Sequence, residues 1–412
     1  MKKNIFLSIL LLSIIFVKAQ GLYFSDSTQV SLLTCSPGEE AYAKFGHTGI
    51  RLRDTESNLD VVFNYGIFSF QTENFYFKFI KGETDYLLGV NQTSSFLAEY
   101  DQRNSMVWEQ DLNLNIVEKR KLINSLLENL KPENRKYRYN FIFDNCATRP
   151  RDKILNSLDG FVRFKVINLS KTYREWVGQY AGDETWLKFG IDLTFGMDAD
   201  KIAPQYESMF LPIVLMKEFR NTKVLKNNEQ NPVSLVEHSR ILVDADVVTQ
   251  KPGRWYFQPF FIFCIILLIG FLSMLVEYKA NHYKPIVDSL LLLITGVGGL
   301  IVSYLMFFSV HPLVQNNLNI LWLNPLNLLF GVFIWFKPLR KTVFYYQLFN
   351  LVLLLLALLT LALSIQAINS AVYPIIVLLI IRYTRWVVHI KHKQSYKKKY
   401  SRRNGRSSNR IN

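Results

Sequence analysis

"FDNCATRPRD", Phe143 to Asp152, sets one cysteine between an Asp-Asn pair and a basic run broken by Pro150. Proline fits a helix only in its first turn, where no backbone N–H is needed from it. A helix running to about Leu158 therefore starts close to Cys146, with Asp144, Asn145 or Thr148 available as its cap. A thiol there meets the positive end of the helix dipole and the charges of Arg149 and Arg151, which favour the thiolate. Three readings stand open: a nucleophile, one half of a disulfide with Cys35, or a buried thiol. The polar neighbours Asp144, Asn145, Thr148 and Arg149 speak against the last. The third cysteine, Cys264, lies far away in an apolar run.

Outward from this stretch, the chain alternates between strand and helix patterns. "YRYNFIF" just before it, "TQVSLLT", "HTGIRLR" and "DVVFNYG" all read as strands. In "HTGIRLR", Ile50 and Leu52 fall on one face and Arg51 and Arg53 on the other. Asn115–Leu130 has apolar residues at Ile116, Ile123, Leu126, Leu127 and Leu130 and stops at Pro132, the mark of an amphipathic helix. Residues 20–255 thus form a mixed α+β domain. Within it, Leu169 to Pro212 is expected to be an irregular, aromatic appendage leaning on the core or on a membrane.

Both ends of the chain carry targeting information. Residues 1–19 combine Lys2 and Lys3, an apolar stretch from Ile5 to Val17 and a small residue at Ala19, the pattern of a cleaved secretory signal. No cysteine follows the apolar stretch, so the chain is not expected to be a lipoprotein itself. Beyond "TQKPGRWYFQPF", five segments are long and apolar enough to cross a bilayer: 257–276, 286–310, 320–336, 343–365 and 371–390. The third is short, and Arg382 and Arg385 interrupt the fifth. The connections "EYKANHYKP" and "FKPLRK" are basic, whereas "HPLVQNNLN" and "QAINSAVYP" carry no Lys or Arg. Basic loops stay in the cytoplasm, so the N-terminal domain and the neutral loops lie outside and residues 391–412 form a cytoplasmic tail. An exported domain followed by an odd number of spans ends inside, as this reading requires. The formal net charge of +15 is concentrated in that tail, which suits anionic lipid and lacks any nucleic-acid recognition fold.

A thiolate nucleophile needs a base. Of six histidines, His282, His389 and His392 fall on the cytoplasmic side, and His238 lies in a polar stretch near the linker. His47, after Gly46 at a strand start, is the natural partner of Cys146. No His-x-x-His, Glu-x-x-His or paired Cys-x-x-Cys spacing is present and no phosphate-cradling glycine loop, so neither a metal nor a cofactor is expected.

Taken together, "FGHTGIRLR", "VFNYGIFSF", "FIFDNCATRPRD" and "FGIDLTFGMDAD" resemble the periplasmic domain of Lnb-type lipoprotein N-acyltransferases, and "HPLVQNNLNILWLNPLNLLF" resembles that family's membrane domain. In more distant outline, His before a Cys at a helix start resembles the permuted papain-like fold of lecithin:retinol acyltransferases. The resemblance implies a Cys–His acyltransferase in the inner membrane, with Cys146 as acyl-accepting nucleophile and His47 as base and later acid. Its implied partners are a phospholipid acyl donor and a diacylglyceryl-modified lipoprotein acceptor, without nucleic acid. Asn64 and Tyr65 are candidates to orient the imidazole. Arg51 and Arg149 offer bidentate geometry for a lipid phosphate, and Asn145 and His311 join them as candidate substrate-binding residues. Asn324 and Asn327 lie deeper and are expected to bond across helices or to line a cleft. The competing readings are a membrane-anchored Cys hydrolase acting on cell-wall peptides, and a structural module held by a Cys35–Cys146 bridge.

Overall fold

Strand alternation builds the first half of the molecule. The computed structural model describes residues 22–165, 170–182, 185–227, 230–245, 254–280 and 282–408, so the signal-peptide reading lies outside the described residues. Ten strands follow in chain order: β1 (Gln29–Cys35), β2 (His47–Asp54), β3 (Leu59–Ile67), β4 (Asp85–Gln92), β5 (Val107–Leu112), β6 (Lys136–Arg138), β7 (Gly160–Arg163), β8 (Lys223–Lys226), β9 (Val233–Ser234) and β10 (Val236–Val243). Seven form one antiparallel sheet in the order β10-β5-β1-β2-β3-β4-β6; β7, β8 and β9 make a small second sheet. The strand expected over "YRYNFIF" stops at Arg138, and an Asn140–Asp144 bridge turns the chain instead.

The register decides what each face carries. Cys35 lies opposite His47, and Gly49 opposite Asn64. Because side chains alternate along a strand, Cys35, His47 and Asn64 share one face and Tyr65 the other. Helix α1 (Phe75–Lys81) precedes β4, and α2 (Thr93–Gln102) covers the first face with Phe96 and Tyr100. Helices α3 (Ile116–Leu130) and α4 (Thr148–Ser157) cover the second, packing Leu122, Leu126 and Ile154 on Leu32, Leu52, Phe63 and Tyr65. Asn115 and Glu118 close a reciprocal capping box that starts α3 where the sequence places it.

The stretch read as an irregular appendage is largely helical. It forms α5 (Tyr173–Ala181), started by a Thr172–Glu175 capping box, and α6 (Trp186–Thr194), and is followed by α7 (Pro212–Asn221). It does lean on the membrane half. Asn317 Nδ2 donates to the carbonyls of Leu193 and Thr194, Asn369 Nδ2 to Asp192 Oδ2, and Trp186 Nε1 to the Phe257 carbonyl. Arg174, buried beneath, ties Asp192 to Asp200. The two neutral connections therefore lie at the same end as the N-terminal domain.

Among the described residues, four helical segments are long and apolar enough to span a bilayer: 259–279, 286–308, 337–362 and 372–391. They belong to α8 (Pro259–Lys279), α9 (Ile286–Phe308), α11 (Arg340–Ala362) and α12 (Val372–Ser408); between them lies the short α10 (Asn327–Phe333). The expected third span, 320–336, is not one helix. It is a 3-10 turn at Leu318–Leu321, an irregular stretch through Pro325, and α10. It nevertheless descends the length of α9. Gly299 receives the backbone of Leu323, and Gly296 that of Leu328; a Cβ on either glycine would collide with these atoms. Ser289, near the far end of α9, bonds both the Gly331 carbonyl and Trp335 Nε1. The break costs backbone hydrogen bonds, and protein surroundings restore polar partners at that depth. Asn327 donates to Thr295 Oγ1 at 2.9 Å and accepts from Tyr346 Oη at 2.6 Å and Asn350 Nδ2 at 3.0 Å, the cross-helix bonding expected of it. Asn324 instead bonds locally, to the Leu326 amide.

Candidate active site

The site is assembled where β2 begins and β3 ends. Gly66, with φ of +95°, sits at a bulge in the β3–β4 register, a conformation that suits glycine. A Cβ at Gly66 would lie 3.4 Å from Cys146 Cβ, 3.7 Å from His47 Cε1 and 4.0 Å from Tyr137 Oη. The missing side chain is the space into which these three groups converge.

Cys146 is held there by the turn in front of α4. Asn145, buried, accepts hydrogen bonds at Oδ1 from the amides of Ala147 (2.7 Å) and Thr148 (2.9 Å), and its Nδ2 donates to the carbonyls of Phe141 (2.7 Å) and Phe210 (2.9 Å). The Asn145 carbonyl takes the Arg149 amide. Every hydrogen-bonding direction of the Asn145 amide is thus spent on backbone. Asn145, expected among the substrate-binding residues, lines the cavity, but its carboxamide shapes the turn that carries Cys146. The same bonds engage the first N–H groups of α4, so those donors are not free to receive an oxyanion.

His47 is held by Asn64 and stands beside Cys146. Nε2 lies 2.7 Å from Asn64 Oδ1, and Asn64 Nδ2 donates in turn to Asn91 Oδ1 at 3.2 Å, which fixes the Asn64 oxygen toward the imidazole. Cys146 stands beside the same ring: its Cβ and His47 Cε1 lie 3.4 and 3.7 Å from the position of a Cβ at Gly66, and the Cys146 charge acts on the imidazole. Tyr100 stacks on the ring at 6.3 Å between centroids. Burial by itself pushes the imidazole pKa down. The pull of Cys146 and the bond to Asn64 outweigh that, and His47 is held above its ordinary range. Asn64 is therefore the group that orients His47. Tyr65 is not: it points to the opposite face of the sheet, where its hydroxyl donates to Asn129 Oδ1 at 2.8 Å.

All three cysteines are free. Cys35, fully buried beside Tyr100, has its thiol pKa pushed well up by that burial. It packs under His47 and is an inert neighbour in this structure, so the bridged module finds no support in these side chains.

The arginines serve the fold. Arg51 is buried and gives two bonds to Asp60 (2.7 and 2.6 Å) and two to Glu109 (3.0 and 3.2 Å), leaving no fork for a phosphate. Arg149 is paired with Asp144 at 2.5 and 2.8 Å and lies over the Tyr137 ring at 3.7 Å. Its guanidinium thus packs against Tyr137, with the Tyr65 ring also within 5.9 Å.

Cys146 and His47 open into a cavity of about 490 Å³. Its wall includes Asn64, Tyr139, Phe68, Arg103, Phe79 and His311. His311 thus reaches the same space from the membrane half, its Nε2 bonded to the Phe79 carbonyl at 2.8 Å. Arg103 faces the cavity too, paired with Glu99 at 2.6 Å. Tyr137 was not singled out from sequence. Its hydroxyl is buried with no hydrogen-bond partner in the structure, bordering the same space at Gly66 as Cys146 Cβ. Among the described residues no cluster of His, Cys, Asp or Glu suited to a metal ion occurs.

Comparison with known proteins places these two halves together. A family model described as the Lnb N-terminal periplasmic domain matches residues 16–177, and one described as the Lnb transmembrane domain matches residues 251–394. No curated protein and no solved structure matches the chain.

Proposed function

Since the chain belongs to the Lnb family, membrane proteins whose periplasmic domain is related to lipoprotein processing, we propose that it is a lipoprotein N-acyltransferase working through a thioester on Cys146. The observation that carries the reading is the Cys146–His47–Asn64 chain opening into a cavity whose wall includes His311 of the membrane half. Cys146 Sγ attacks an ester carbonyl of a glycerophospholipid, the C–O bond breaks, and His47 gives its proton to the departing oxygen, releasing a lysophospholipid. The α-amine of a diacylglyceryl-cysteine then attacks the thioester, His47 takes a proton from it, and the thiol is restored. Asn64 keeps the imidazole aimed at sulfur through both steps. The inner membrane, with the basic tail in the cytoplasm, is the location this chemistry calls for.

Each attack places negative charge on the carbonyl oxygen. With the α4 amides engaged by Asn145, we assign the oxyanion's side-chain donor to Tyr137, whose unpartnered hydroxyl lies 4.0 Å from the position of a Cβ at Gly66, the space Cys146 Cβ also borders. Tyr137→Phe is expected to lower kcat by about 100-fold with little change in KM, as for the loss of one oxyanion donor. Iodoacetamide labelling of Cys146 should proceed at the wild-type rate, which separates this role from damage to the nucleophile.

The test of the whole reading uses the full-length protein in phospholipid vesicles with a synthetic diacylated lipopeptide. Mass spectrometry should find a third acyl chain on the peptide's α-amine and a hydroxylamine-labile acyl group on Cys146. The competing hydrolase reading, with the spans as a plain anchor, predicts cleavage of soluble cell-wall peptides and no acylated lipopeptide.

A further inference from the structure

Helix α1 leaves much of its apolar surface exposed. Of the seven residues of α1, Tyr76 (70 %), Phe77 (58 %), Phe79 (46 %) and Ile80 (46 %) are open to solvent, while Phe75 anchors the helix inward. Such a patch on a soluble domain marks an interaction surface. Its neighbours say which kind. The α1 C-terminus is stitched to the strap after α9: the Val310 amide donates to the Lys81 carbonyl (2.9 Å), Ser309 Oγ to that of Ile80 (3.1 Å), and His311 Nε2 bonds that of Phe79. Phe77 packs on Tyr304, with 6.1 Å between ring centroids. Tyr304 lies one helical turn, roughly 5 Å, inside the end of α9. Phe307, Phe308 and Val310 beside it are likewise exposed. The apolar face of α1 thus continues the lipid-facing surface of a membrane-spanning helix, at the level where aromatic side chains favour the bilayer interface.

The other side of the same seam faces the chemistry. Phe79 and His311 both line the cavity that holds Cys146 and His47. A line of rings, Tyr76 to Phe70 to Tyr42, runs from α1 to the cavity rim. One element therefore turns an exposed apolar face outward and lines the reaction space on its inner side.

We propose that α1 lies in the outer leaflet and that the α1–His311 seam is the doorway through which an acyl chain of a bilayer phospholipid reaches Cys146. The doorway role rests on the acyl-transfer reading above; the seating of α1 in lipid does not. A phospholipid carrying a diazirine in its acyl chain, incorporated in vesicles with the full-length protein, tests the seating. Photolysis should label the α1 peptide in wild type and in Cys146→Ala alike. Labels on the exposed faces of α8 and α11 without any on α1 would reject it, as would chain-to-chain cross-links at α1 in place of lipid adducts. The doorway is tested by Tyr76→Ser combined with Phe77→Ser. Acyl-enzyme formation from vesicle lipid should fall by 10-fold or more while iodoacetamide labels Cys146 at the wild-type rate. Undiminished acylation from lipid in that variant overturns the doorway. A wild-type protein that labels on α1 yet never forms acyl-enzyme fails the acyl-transfer reading and leaves the seating intact.

Discussion

Cys146→Ser is expected to abolish N-acylation of a diacylated lipopeptide, with a loss of about 10⁴-fold or more, as when a covalent nucleophile is removed. Mass spectrometry of the lipopeptide after incubation in vesicles reads it out; a third acyl chain persisting at more than a few per cent of the wild-type rate would reject the assignment. The same variant carries a second, electrostatic consequence with a definite sign. Burial drives the His47 pKa down, and the Cys146 charge is the leading contribution driving it up. Replacing sulfur by a neutral hydroxyl removes the charge and leaves the burial, so the imidazole should lose its proton at a lower pH than in wild type. In wild type the ring stays protonated to a pH above the usual histidine value of about 6.5, the form that can protonate the departing lysophospholipid oxygen. Acid-limb profiles of diethylpyrocarbonate modification at His47 measure the shift directly. An unchanged or raised midpoint in Cys146→Ser would mean that imidazole and thiol are not electrostatically paired.

That pairing was largely visible in the sequence. Pro150 confines the start of α4 to the neighbourhood of Cys146, and His47 stands out once the histidines expected on the cytoplasmic side are set apart. What was missed shares one cause, the lack of register. Asn64 and Tyr65 are adjacent in the chain, and only the Gly49–Asn64 pairing of β2 with β3 puts Asn64 on the imidazole's face and Tyr65 behind it. Arg51 looks like a free cation until β3 and β5 bring Asp60 and Glu109 to it. Tyr137 acquires meaning only because a bulge at Gly66 and the Asn145 turn leave it unpaired near Cys146. The interrupted third crossing did have a signal, Pro325 between Asn324 and Asn327, and hydropathy alone smooths over it.

Arg382 poses the converse problem, a charge where hydropathy asks for none, and it supports the second large prediction. The side chain is fully buried, with Nε 2.5 Å from Asp288 Oδ1 and Nη2 3.1 Å from Glu277 Oε1; Tyr283 donates to the other Asp288 oxygen. α12 therefore crosses with its arginine neutralised by α8 and α9. Arg382→Met is expected to strand two buried carboxylates and to destabilise the membrane half by about 3–5 kcal/mol. The readout is the temperature at which the detergent-solubilised protein loses its monodisperse elution peak. Adding Asp288→Leu and Glu277→Met should restore most of that loss, because an all-apolar contact escapes the desolvation penalty that the ion cluster carries. Ionisable groups within a membrane often mark function, but position argues otherwise here. Asp288 stands 20 residues from the Phe308 end of α9, roughly 30 Å along the helix, whereas the cavity meets the strap beyond that end at His311. The apolar triple variant should consequently keep wild-type acylation once folded. A triple variant that is stable and inactive would instead give the cluster a role in the reaction cycle.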